Sequence, residues 1–297
     1  MLAWRLAVSA FLIPACYGIF YLDHQAGSSA PWLLGLCLVL GARCAWEMTT
    51  LLRTRNFDPH FPIVAFCTLS ILLAGWLPQL EVIDALMNVD PLTLAMLAFS
   101  LSVLVLFLRG AIRYRQPGSS METLGAELLS VTYVGVLLIV TAQLRWVAGA
   151  QAGYLALGSL VIAAKMGDIG GYTIGRLFGR AKLVPTLSPG KTRAGGVGAL
   201  CGAGLGAWLW LTFATPLFNP DWPVCAWYWA VLYGVVVGLV GLVGDLCESL
   251  IKRDVEKKDS ATLMPGFGGL LDLLDSILYA GPVAYLLWLL LPLASWQ

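Results

Sequence analysis

Gly244-Asp245, Glu248-Ser249-Leu250-Ile251-Lys252-Arg253, Lys258-Asp259, Pro265-Gly266-Phe267-Gly268-Gly269, Asp272 and Asp275 follow one another between two apolar segments, 227–250 and 274–293. Each flanking segment is long enough to cross about 30 Å of hydrocarbon as a helix. Acids, bases and a glycine turn packed this densely beside a membrane call for a ligand, and a polyphosphate held through cations fits the mixture.

The rest of the chain agrees with a membrane reading. It is 297 residues long, 59% hydrophobic and only 12% charged, with a mean hydropathy of +0.81. Soluble domains carry about 25% charged residues, so the fold class is all-α and polytopic. Nine transmembrane helices are expected, at 2–22, 31–52, 62–80, 91–108, 122–144, 152–175, 196–217, 227–250 and 274–293. The first is too long, and too directly followed by others, to read as a cleaved signal peptide. Lys and Arg set the orientation. Arg53 and Arg55, then Arg109, Arg113 and Arg115, then Arg176 to Arg193, then Lys252 to Lys258 fall in every second loop. The alternate loops (23–30, 81–90, 145–151, 218–226) hold only Arg145. The positive-inside rule then predicts a cytoplasmic N-terminus and a C-terminus on the far side.

Two regions differ in chemistry. Residues 1–150 read as a scaffold of apolar helices with dimer contacts, and 151–297 as a catalytic region with its motifs at the cytoplasmic face. In the first region Arg43 and Glu47, four residues apart, share a helix face and read as a structural pair. Glu122 and Glu127 fall near a membrane boundary without a catalytic role. The seven cysteines show no CxxC spacing and read as small core residues. A net charge of +1 gives no global field, and no nucleic acid partner is expected. His24 and His60 are the only histidines and lie outside the charged clusters, which argues against hydrolysis by a His-assisted nucleophile.

Three clusters carry chemistry. In the first, Lys165 and Asp168 share a helix face, followed by Tyr172, Gly175-Arg176 and Gly179-Arg180. They form either a neutralising pair within the bundle or part of a cavity. In the second, Ser188-Pro189-Gly190-Lys191-Thr192-Arg193 precedes a helix. It lacks the GxxxxGK[ST] spacing and a preceding strand, which excludes a P-loop. It presents cations, hydroxyls and amides to an anion or to lipid headgroups. The third is the opening stretch, where Asp245 and Glu248 are three apart, Glu248 and Lys252 four apart, and Asp272 and Asp275 three apart. Carboxylates gathered this closely repel unless cations sit among them, and hard oxygen donors suit Mg2+; a solvated charge run capping two helices is the alternative. Carboxylates for metal, cations for phosphate and glycines for close approach together suit phosphoryl or nucleotidyl transfer.

At this point the chain resembles the phosphatidate cytidylyltransferase (CDP-diacylglycerol synthase) family. Ser249, Lys252, Arg253, Lys258, Asp259, Ala261, Pro265, Gly266, Gly268, Gly269, Asp272 and Asp275 match that family's C-terminal pattern in register. The Asp168/Tyr172/Arg176 block and the Ser188/Lys191/Thr192 block match in order, so the resemblance covers roughly 160–285. Phe267, Leu273 and Ala194 stand where the family usually has His, Arg and often Glu. These changes remove a candidate acid/base or phosphate-binding group and a cation beside the metal site.

The resemblance implies an enzyme of phospholipid biosynthesis, a nucleotidyltransferase making CDP-diacylglycerol and pyrophosphate from CTP and phosphatidate. It implies a two-cation site with Mg2+, the second ion unassigned, held by Asp245, Asp272 and Asp275 with Asp168 close by. Lys252 and Arg253 join these as catalytic residues. Lys165, Tyr172, Arg176, Ser188, Lys191, Thr192, Ser249, Lys258, Asp259, Gly268 and Gly269 are the expected substrate contacts. The implied setting is a bacterial-type inner membrane among membrane lipids, with the site facing the cytoplasm and homodimers as the family often forms. Two other readings stay open: a related CTP-dependent enzyme acting on another lipid phosphate or a polyprenol, and a catalytically silent membrane protein or transporter.

Overall fold

The computed structural model describes residues 14–15, 18–55, 57–80, 89–149, 152–263 and 268–294. The first expected span, 2–22, falls largely outside the described residues, as do Pro265, Gly266 and Phe267 of the glycine turn. Seven helical segments among the described residues are long and apolar enough to cross a membrane. The chain is therefore a polytopic, essentially all-α membrane protein. It divides into two compact units: 1–140 with 254–273, and 141–253 with 274–297.

The first unit is built from α1 (Pro31–Arg53), α2 (Phe61–Trp76), α3 (Pro91–Arg113) and α4 (Ser120–Ser130). A single π-helical turn, Val131–Val136, leads on from α4 into α5 (Leu137–Ala142). Proline opens each of α1, α2 and α3, where its missing N–H costs nothing. The start of α1 has a remote cap: Asp23 Oδ1 accepts from Trp32 N at 2.7 Å and Leu33 N at 3.3 Å. A carboxylate buried in this unit is partnered, as burial in hydrocarbon requires. Buried Glu127 of α4 accepts from Arg109 of α3 and from His60 N at the head of α2. Arg53 donates to the Pro59 carbonyl at 2.9 Å, and Arg55 meets Asp254 at 2.6 Å.

The second unit contains α6 (Leu155–Phe178), α7 (Arg193–Phe218), α8 (Trp227–Asp254) and most of α9 (Leu270–Leu290). The expected span 152–175 is present as α6, but with Lys165, Asp168 and Arg176 it is not among the seven apolar segments. Helices α6 and α7 pack closely along glycine and alanine faces. Ser159, Tyr233 and Trp288 tie α6, α8 and α9 together: the Ser159 and Tyr233 hydroxyls lie 2.9 Å apart, and Trp288 Nε1 donates to Ser159 Oγ at 3.1 Å.

Between α6 and α7 the structure departs from the expected irregular loop. Strands β1 (Lys182–Val184) and β2 (Ser188–Thr192) pair antiparallel, with Lys182 opposite Thr192 and Val184 opposite Ser188. A strand does precede Gly190-Lys191-Thr192, contrary to expectation, but those residues lie within β2 itself. A phosphate loop would instead connect a strand to a helix, so the hairpin still differs from that fold.

Candidate active site

The centre of the second unit is a meeting of α8 with α9. Gly244 makes it close: a Cβ there would lie 2.5 Å from Tyr279 Cβ and 3.2 Å from the Asp275 carbonyl. Only glycine lets the helices approach so nearly. The next turn of α8 then sets Asp245 and Glu248 beside Asp275 of α9. One oxygen from each of the three lies within 4.8 Å of the others. Asp275 and Glu248 are buried and Asp245 is half-buried.

Two carboxylates about 5 Å apart repel by roughly 3 kcal/mol at an effective dielectric of about 20. Two lysines offset part of this. Lys252 pairs with Glu248 on the same face of α8, and Lys191 Nζ reaches Asp245 at 2.7 Å from β2. Lys165 and Asp168 lie within electrostatic range of Asp275 but first pair with each other at 3.1 Å. Three hard oxygen donors this close together, two of them buried, are a set that could hold a divalent ion of the Mg2+ type.

The basic hairpin is anchored to the same unit. Lys191 also approaches the Leu242 carbonyl at 3.4 Å. Thr192 caps α7 by accepting from Gly195 N at 3.1 Å. Arg253 Nε approaches the Leu187 carbonyl at 3.4 Å. Ser188 is half-buried beside these groups. On α6, Arg176 donates to the Tyr172 hydroxyl at 2.8 Å, and both are exposed. Ser249 Oγ stands 3.5 Å from Asp245 Oδ1.

The glycine turn belongs to the first unit and is organised differently. Asp272 Oδ2 accepts from Ser260 N at 2.9 Å, Ser260 Oγ at 2.8 Å and Gly269 N at 2.7 Å. Gly268 has φ +91°, a left-handed conformation that suits glycine. Lys258 and Asp259 are exposed at the head of the turn.

Of the four carboxylates expected to hold metal, the structure therefore brings together Asp245 and Asp275. Asp272 is occupied by amide and hydroxyl donors, and Asp168 by Lys165. Glu248 is the third member of the group formed by Asp245 and Asp275. Its signal is in the sequence, three residues after Asp245 and one before Ser249, where the matched family pattern begins. Lys252, expected as a catalytic residue, lies buried and paired with Glu248. Ala194 and Leu273 are half-buried in the first turns of α7 and α9, and Phe267 lies outside the described residues.

Residues 3–291 match the sequence profile of the cytidylyltransferase family. The chain belongs to that family. A phosphatidate cytidylyltransferase of Pseudomonas aeruginosa is 35% identical over 294 residues, 97% of each chain. Shorter matches include phosphatidate cytidylyltransferases of Mycobacterium leprae (42% identical, 45% of this chain and 40% of that one) and Synechocystis (41% identical, 43% and 41%). In this cytidylyltransferase, as in the sequence pattern, the acids cluster at the ends of helices that also carry Lys and Arg.

Proposed function

We propose that this cytidylyltransferase transfers the cytidylyl group of CTP to phosphatidate, forming CDP-diacylglycerol and pyrophosphate. The observation that carries this reading is the gathering of Asp245, Glu248 and Asp275 in a chain that matches a phosphatidate cytidylyltransferase end to end. A phosphate oxygen of the lipid attacks the α-phosphorus of CTP. The bond to the oxygen bridging the α- and β-phosphorus breaks, and pyrophosphate leaves with that oxygen. Little covalent chemistry is asked of the protein, so positioning and charge compensation dominate.

Asp245, Glu248 and Asp275 are the residues that would hold divalent cations, with Mg2+ as the resident ion. Bound there, Mg2+ neutralises charge on the triphosphate. Lys252 orients Glu248, and Lys191, already beside Asp245, is placed to exchange that contact for a phosphate of CTP. Lys165, Arg253 and Lys258 supply further positive charge. The single hydroxyl of Ser188 and the exposed Tyr172–Arg176 pair offer polar contacts to the nucleotide or the lipid headgroup. The arginine- and lysine-bearing loops support nine spans, a cytoplasmic N-terminus and a site open to the cytoplasm, where CTP is found. A multi-pass location in a bacterial inner membrane and a homodimeric assembly complete the reading.

The test is turnover by the purified full-length protein in lipid nanodiscs supplied with Mg2+, labelled CTP and phosphatidate. CDP-diacylglycerol and pyrophosphate should appear in equal amounts, and no product should form without phosphatidate. No CDP-lipid, under conditions where the P. aeruginosa relative makes it, would reject the proposal.

A further inference from the structure

The residue that ties Ser260 to the start of α9 comes from far away in the sequence. Glu47 lies on α1, fully buried, and its pairing with Arg43 at 3.1 Å is the smaller part of its bonding. Oε1 also accepts from Leu270 N at 3.0 Å, and Oε2 from Leu271 N at 2.9 Å. Ser260 Oγ stands 3.1 Å from Oε2 while lying 2.8 Å from Asp272 Oδ2. One carboxylate thus collects an arginine, a hydroxyl and the first two amides of α9. Those amides have no partner within their own helix, and the negative charge sits where the helix dipole favours it.

The fit is tight. A Cβ at Gly269 would strike both Ser260 Oγ and the Glu47 carboxylate. Gly269 therefore serves this close approach, and its own amide goes to Asp272. Arg43, stacked over the Trp46 ring at 4.2 Å, holds the charge on Glu47 in place. A buried carboxylate is costly in a membrane protein unless its partners are complete, and here every donor but Arg43 comes from the motif-bearing stretch 260–271.

We infer that Glu47 is a positioning residue for cytidylyl transfer: it fixes Ser260 and the start of the helix that carries Asp272 and Asp275. It touches neither substrate. Its effect runs through Ser260 and the Leu270 and Leu271 amides. A second carboxylate, Asp272, shares Ser260 with it and takes the neighbouring Gly269 amide, so both acids join Ser260 to the start of α9.

This inference rests on the cytidylyltransferase reading, and the experiment separates the two. Glu47→Gln, Glu47→Asp, Ser260→Ala and, as a control, Glu122→Gln at the exposed start of α4 are assayed for CDP-diacylglycerol synthesis in nanodiscs. Amide hydrogen exchange is followed over 258–271. Losing an oriented supporting partner typically costs about 10- to 100-fold in activity. Glu47→Gln should show a loss of that order in kcat, with KM for CTP changed less than threefold and with faster exchange confined to 258–271. Ser260→Ala should move both readouts the same way by a smaller amount. Glu47→Asp should recover part of kcat, and the Glu122 control should match wild type. If Glu47→Gln does not fold, Ser260→Ala alone decides, because it deletes one hydroxyl and leaves the carboxylate. Wild-type kcat in Glu47→Gln, or in Ser260→Ala when that variant decides, overturns the inference. So does a loss of kcat without faster exchange in 258–271. Inactive wild type overturns the functional reading instead.

Discussion

Two groups of acids, one in each compact unit, use the same side chains to opposite ends. Asp245, Glu248 and Asp275 face one another within 4.8 Å, with Lys191 and Lys252 attached. Glu47 and Asp272 instead point into nests of donors: two helix amides, the Ser260 amide and hydroxyl, the Gly269 amide and an arginine. The first group is the one proposed above to hold the divalent ion. The second is satisfied by the chain itself and behaves as a clamp. An acid's neighbours, rather than its place in a motif, decide which of these roles it takes.

The largest effect should come from the first group. Glu248→Gln and Asp275→Asn should each lower kcat by about 10³-fold, the scale of removing one electrostatic stabiliser of a developing charge, as read by initial rates of CDP-lipid formation. If Glu248→Gln stays within threefold of wild type, Glu248 does not belong with Asp245 and Asp275 in the working site.

Asp272 sharpens the contrast because the family resemblance implied it as a metal ligand. Asparagine keeps an oxygen to accept from Ser260 and Gly269, so Asp272→Asn should cost about 10- to 100-fold, as for a supporting partner. The Mg2+ concentration giving half-maximal rate should stay as in wild type. A shift in that concentration as large as the one in Asp275→Asn would move Asp272 from the clamp to the ion site.

The smallest effect concerns charge pairing away from both groups. His60 lies just before the span that begins at Phe61. Burial, followed by the charges of Arg109 and Arg113, holds its pKa below the ordinary value of 6.5, although Glu127 pulls the other way. The folded chain favours neutral imidazole, so unfolding takes up a proton in acid. This contribution is complete above about pH 6.5 and is lost as pH falls towards the folded pKa. Thermal unfolding between pH 7.5 and 5.5 should show a shallower loss of stability for His60→Asn than for wild type. Parallel curves would show that His60 does not titrate on unfolding in this range.

Much of this was legible in the sequence. The apolar spans, the alternation of basic loops and the i, i+3 spacing on α8 all follow from helical periodicity, which a one-dimensional pattern records well. The seven described segments long and apolar enough to cross a membrane fall where the hydropathy placed them, and α9 begins four residues before its expected start at 274, where Glu47 caps it. Long-range pairing was not legible. Nothing local marks Glu47 as a partner for residues more than 200 positions away, and its neighbour Arg43 offered a sufficient local explanation. The β1–β2 hairpin was missed for a related reason. Its strands are three and five residues long, too short for alternation to register, and Pro185 and Pro189 speak against strand. The split of Asp272 from Asp275, three residues apart on one helix, depends on which donors each one meets.

Binding of Mn2+, a paramagnetic substitute for Mg2+, tests the central claim most directly. It can be followed by electron paramagnetic resonance on the full-length protein in nanodiscs, wild type beside Asp275→Asn. Saturable binding to wild type that is at least tenfold weaker in the folded variant is the predicted result. Equal binding by the two proteins would contradict the assignment of Asp245, Glu248 and Asp275 as the site of the divalent ion.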